Sequence, residues 1–154
     1  MRTMWILILA SFLPILAFGQ DKKPEVTTKR YGIDVDLKFY PQDTPQQTLA
    51  SILKAVERGR LNYVLAQLAD PKFVDERVRL AGGDFDVVIQ EAKTKLADDP
   101  ATVKLLQRFL KEGDWQVADT AAMASLKDVN NRFLFMKKIG DRWFMENKQA
   151  PDKE

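Results

Sequence analysis

The chain has no cysteine and no histidine. Without cysteine there is no disulfide, no thiolate metal site, no thiol nucleophile and no lipid attachment at a processed N-terminal cysteine. Without histidine it lacks the side chain that titrates near neutrality and the commonest zinc ligand. Ser-His-Asp, Cys-His and His-metal catalysis are therefore excluded. An excess of one charge is also missing. The formal net charge is +2, no long run of Lys or Arg occurs, and Arg2 falls in a segment expected to be removed. Nucleic acid is not expected as a partner, because such binding rests on concentrated positive charge. No catalytic, cofactor-binding or metal-ligating residue is assigned from the sequence.

Long apolar runs are scarce as well. The N-terminal one, residues 4–19, is shorter than the ~20 residues a membrane-spanning helix needs. No basic stop-transfer cluster follows it directly. Arg2 supplies a positive start, Pro14 breaks the apolar run, and Ala17-Phe18-Gly19 places small residues at the −3 and −1 positions of a cleavage site. Residues 1–19 are read as a signal peptide cleaved before Gln20, with a retained anchor as the alternative. The expected location is outside the cytoplasmic membrane, periplasmic or secreted, with no stable span after cleavage.

What is present is enough for one domain. Of 154 residues 45% are apolar, and nine Phe and three Trp can fill a core. Residues 20–43 form a leader: polar and flexible at first, then alternating from Ile33 through Val35 and Leu37 to Phe39. That period of two predicts a short half-buried strand, or an extended strap lying on the domain. The domain itself is expected over residues 44–148, with a polar tail at 149–154.

Helix starts and stops are legible. Thr44-Pro45-Gln46-Gln47 offers an N-cap, a proline at the first helical position and a capping-box glutamine. Leu49, Ile52, Leu53 and Val56 then form one apolar face, and Gly59 ends it. The same spacing recurs at Leu61, Val64, Leu65 and Leu68. Asp70-Pro71 opens a third helix with Phe73, Val74 and Val78 inward. Asp84 opens a fourth with Phe85, Val88, Ile89, Ala92 and Leu96. Asp99-Pro100 opens a fifth with Val103, Leu106, Phe109 and Leu110, stopping at Gly113.

The remainder predicts a three-strand antiparallel meander or more. Residues 115–126 are read as one strand despite an alanine content that suits a helix. Asp128-Val129-Asn130-Asn131 carries turn chemistry, and residues 132–139 are apolar on both faces. Gly140-Asp141 is a two-residue hairpin loop, and residues 142–147 return with Trp143 and Met145 alternating against Phe144 and Glu146. A strand apolar on both faces predicts that both are covered. Helices would cover one, and a second subunit, the curl of the sheet or a ligand the other.

Helices first, then a curved meander ending in Gly140-Asp141-Arg142-Trp143-Phe144, resembles the nuclear transport factor 2-like superfamily of cone-shaped α+β domains. The resemblance rests on the opening helix 45–58, the strand 115–126 and the run from Phe133 to Phe144. It implies a pocket between the concave sheet face and the helices, and dimerisation through the sheet. The greater helical content of residues 71–113 departs from that pattern. Enzymes, ligand-binding domains and scaffolds all share the fold, so the resemblance does not fix an activity.

Tyr63 with Asp119 would suit an acid/base pair of the ketosteroid-isomerase type, though a core-edge tyrosine and a solvated aspartate explain both. Asp34 and Asp36 would suit a hard cation or acid/base work but carry no further ligands. Helix capping explains Asp98 and Asp99, and alternation separates Lys137 from Lys138. Tyr63, Trp115, Phe135 and Trp143 are the candidates to line a pocket, with core packing the plainer reading. The leading expectation is an exported, non-catalytic domain binding a small apolar ligand or a protein partner, a homodimer through the sheet included. A carboxylate-based isomerase, dehydratase or hydrolase on the same scaffold is one alternative, and a structural subunit of an envelope complex is another.

Overall fold

The computed structural model describes residues 28–148. The signal segment, the first part of the leader and the tail expected at 149–154 lie outside these residues. The architecture is α+β, with five helices followed by a four-stranded antiparallel sheet.

Each expected helix start is made by the side chain that was to make it. Thr44 Oγ1 accepts from Gln47 N at 3.1 Å and opens α1 (Pro45–Glu57). Asp70 accepts from Lys72 N and opens α3 (Pro71–Leu80). Asp84 accepts from Asp86 N and Val87 N and opens α4 (Phe85–Ala92). Asp99 accepts from Ala101 N and opens α5 (Pro100–Glu112). These bonds satisfy amide donors that a helix leaves free at its start. Two helices depart from a simple 3.6-residue pattern. α2 (Leu61–Tyr63) passes at once into a π-helical turn, Val64–Leu68, and α4 continues into a second, Lys93–Ala97.

The strand expected along residues 33–39 is shorter than its alternation implied. Only Ile33–Asp34 (β2) is strand, paired with Lys29–Arg30 (β1). Tyr31 and Gly32 form the loop, both with positive φ, as a two-residue turn of this kind requires. The chain then bends, because Asp36 Oδ1 accepts from Phe39 N and Asp36 O accepts from Tyr40 N. This local turn competes with the ladder and wins. Tyr31 stacks on Phe85 at 4.1 Å, which ties the hairpin to α4.

The sheet runs β3 (Asp114–Val117), β4 (Ala121–Leu126), β5 (Val129–Ile139), β6 (Arg142–Glu146), in sequence order. The single strand expected over residues 115–126 is thus two strands. The chain reverses at Ala118–Thr120, closed by Ala118 N donating to Ala121 O at 2.8 Å. The turn expected at residues 128–131 falls earlier, at Lys127–Asp128, and β5 already begins at Val129. Register slips there: Leu126 faces Val129, while Ser125 faces Phe133, which is a bulge. Arg108 on α5 holds that corner by two bonds to the Asp128 carboxylate, 2.7 and 2.8 Å.

Alternation sorts the sheet into two faces. Ala122, Ala124, Leu126, Leu134, Met136 and Trp143 are buried and pack on Leu49 of α1 and on Leu106 and Phe109 of α5. Alanines at 122 and 124 keep this face low, so the helices can approach closely. A second cluster joins Tyr40, Ile52, Leu61, Tyr63, Val64 and Leu68, and a third joins Leu65, Ala69, Val74, Val78 and Val88. On the opposite sheet face Met123, Phe133 and Phe135 are only half-buried.

Candidate functional site

Gln67 sits at the centre of the polar interior. It is fully buried, and its Nε2 donates to Ile33 O at 2.7 Å and Thr28 O at 3.3 Å. Its Oε1 accepts from Nη1 and Nη2 of Arg142, and its backbone oxygen accepts from Gln42 Nε2 at 3.0 Å. Gln42 also donates to Trp143 O at 2.7 Å. Two glutamines thus bind the N-terminal hairpin, the first π turn and β6 into one body. A buried amide is retained at low cost only when its groups find such partners.

An apolar cavity lies between α2 with its π turn, α3, α4 with its π turn, and the end of β6. Its volume is about 240 Å³. Leu61, Val64, Leu65, Ala69 and Val88 form its buried floor, and Phe73, Leu96 and Met145 line it as half-buried walls. Arg77, Glu91, Lys95, Glu146 and Asn147 stand around it as polar groups. Arg77 on α3 and Glu91 on α4 are joined by an ion pair. Both π turns contribute walls, Val64 and Leu65 from one and Lys95 and Leu96 from the other. The extra residue per turn widens a helix locally, a distortion that recurs where helices border functional sites.

The four residues singled out as pocket-lining are not gathered at this cavity. Trp143 is 4% exposed in the sheet–helix core, and Trp115 packs at its edge, donating from Nε1 to Phe109 O at 3.3 Å. Phe135 lies on the other sheet face in a shallow depression with Val117, Met123 and Glu146, its ring 5.6 Å from the Lys148 ammonium. Tyr63 borders a separate surface hollow with Asp34, Asp36, Arg58 and Arg60. Its hydroxyl accepts from Asp36 N at 2.9 Å, and burial pushes its pKa up. Asp119 is exposed in the β3–β4 turn, so the paired residue expected in a strand stands in a loop. Asp34 pairs with Lys29 at 3.6 Å, and Asp36 is engaged in its turn. Lys137 reaches Asp70 at 2.6 Å, while Lys138, next along the strand, points to the opposite face.

The sequence supplied the cavity floor without its meaning. Leu61, Val64, Leu65 and Val88 were legible as helix faces turned to a core. Arg77, Glu91 and Lys95 gave no signal, since charged residues on helices are ordinarily solvated. Among the described residues no group of three carboxylates is gathered to hold a metal ion, and no helix is long and apolar enough to cross a membrane. No protein-family model, no curated protein and no solved structure matches the chain.

Proposed function

We propose that the chain is an exported, non-catalytic domain that holds a small apolar ligand in the cavity between its helices and β6. The observation that carries this reading is an apolar-floored cavity of about 240 Å³ ringed by polar side chains. An apolar cavity of roughly 150 Å³ takes up benzene, so this half-open cleft of about 240 Å³ has room for a ligand of that size. Export rests on the signal-like residues 1–19. Kinship with the nuclear transport factor 2-like superfamily belongs to the same proposal, supported by helices preceding an antiparallel meander. The polar ring holds two cations, Arg77 and Lys95, and two carboxylates, Glu91 and Glu146. Charges so balanced suit a ligand that is neutral overall.

The test is native mass spectrometry of the exported chain, followed by nuclear magnetic resonance titration with benzene and indole as probes. The expected result is saturable shifts at the methyls of Leu65, Val88 and Leu96, lost in Ala92→Phe, which fills the cavity from α4. Shifts confined to Phe135 and Met123, or none, would overturn the reading.

A second reading rests on the sheet's other face. Met123, Phe133 and Phe135 are half-buried there. A partner protein or a second copy of the chain would cover this strip. A dimer in the native spectrum that dissociates in Phe135→Glu supports it.

A further inference from the structure

Among the described residues Arg142 is a half-buried cation without an anion. Arg30 pairs with Asp75, Arg77 with Glu91, Arg79 with Glu76, and Arg108 with Glu112 and Asp128. Arg58, Arg60 and Arg132 are exposed, where water solvates them. Arg142 has neither remedy among the described residues. Its guanidinium lies 4.8 Å from the Phe144 ring, and its Nε is buried with no partner. Burial lowers its pKa, and the charge of Arg30 acts in the same direction. A charge held in such surroundings is costly until it is paired and hydrogen-bonded.

The geometry shows which edge of the guanidinium is free. Nη1 and Nη2 both donate to Gln67 Oε1 at 3.2 Å, so the end of the fork is occupied. The side edge, formed by Nε–H and the second Nη2–H, has no acceptor among the described residues. That edge matches two oxygens of a carboxylate or phosphate in a bidentate pair. A further donor is close. Tyr63 interacts electrostatically with Arg142, and its hydroxyl accepts from Asp36 N while its own proton has no acceptor among the described residues. We propose that Arg142, assisted by the Tyr63 hydroxyl, is the anchor of a site for one small oxyanion, a carboxylate or a phosphate. The competing occupant is a water that accepts from Arg142 Nε–H and donates to Gln42 Oε1, which is also buried without a partner among the described residues.

The test follows the Arg142 Nε–H resonance in the exported chain during titration with inorganic phosphate and, separately, acetate, against chloride at matched ionic strength. The expected result is a saturable shift at millimolar anion and a Tm higher by several degrees. The tighter of the two anions identifies the class. Arg142→Gln abolishes the anion-dependent rise in Tm, and Arg142→Lys weakens binding about tenfold through loss of the bidentate edge. An unshifted Nε–H, the outcome for a bridging water, overturns the proposal. So does a rise that survives in Arg142→Gln, which would mark an adventitious ion only. If Arg142→Gln does not fold, the Nε–H titration of the unaltered chain decides alone.

Discussion

Replacing Gln67 by methionine keeps roughly the side-chain volume and removes every polar contact its amide makes. Three losses and one gain add up. The Ile33 carbonyl loses a 2.7 Å bond, worth about 1 kcal/mol net. The 3.3 Å bond to Thr28 O contributes less. Arg142 loses the acceptor for two of its N–H groups, and a hydrogen bond to a charged group is worth about 1.5–3 kcal/mol. Methionine avoids the desolvation of an amide and returns about 1 kcal/mol. The expected loss is about 2–3 kcal/mol, a large share of the ~5–15 kcal/mol that holds a domain of this size. It corresponds to a fall in Tm of about 8 °C. Urea unfolding should show the whole loss in the midpoint with an unchanged slope. Amide exchange should accelerate at Val35, whose N–H bonds to Thr28 O across the N-terminal hairpin. Gln67→Glu separates the contributions, because it keeps an acceptor for Arg142 and turns a donor into an acceptor facing Ile33 O. A loss below about 1 kcal/mol in Gln67→Met, with hairpin exchange unaltered, would refute the idea that this amide fastens the hairpin to the sheet.

Gly113 has an ordinary φ, yet a Cβ there would stand 2.3 Å from the Phe109 carbonyl oxygen and 3.2 Å from Trp115 Nε1. Gly113→Ala should therefore destabilise by about 2 kcal/mol or more and alter the near-ultraviolet signal of Trp115. Met136→Ala, at a fully buried position between the sheet and α1 and α5, should cost about 2–5 kcal/mol in urea unfolding. The Tyr31 hydroxyl is pushed up to about 12, first by burial and then by its bond to Asp75. A pKa raised in the folded state gives stability that is complete below the unfolded value near 10 and lost as pH rises through about 12. An ultraviolet titration should show a late tyrosine step that Tyr31→Phe removes. Asp128 is held below the ordinary carboxylate range by its bonds to Arg108, and Asp99 by its bond to Thr102. Their contribution is present above the unfolded value of 3.8 and lost as pH falls through the lowered ones. Asp128→Asn should flatten the acid limb of urea midpoint against pH.

The helix starts were readable because capping is local: Thr44, Asp70, Asp84 and Asp99 bond to amides two or three residues on, and nothing distant decides it. The α+β order was readable for a related reason, since from Thr44 onward the period of the apolar residues changes once, near Gly113. Turns without glycine or proline were less legible. Ala118-Asp119-Thr120 reverses the chain with only Asp119 as a cue, and the corner at Asp128 is held by Arg108, twenty residues away in sequence. Alternation from Ile33 to Phe39 misled because Asp36 Oδ1 accepts from the Phe39 amide and bends the chain. The cavity was not readable as a cavity, although its floor was legible as helix faces. Two π turns far apart in sequence contribute to its walls, and Arg77 and Glu91 meet beside it at a separation that no sequence spacing records. Arg142 was legible only as a strand residue. The sequence by itself determined the helix boundaries, the order of layers and the catalytic chemistries excluded by the lack of cysteine and histidine, since each depends on residue identity or near neighbours. Tertiary structure alone decided which apolar faces close on one another, where space is left between them and which charge is buried without a partner, because those depend on distances between segments far apart in the chain.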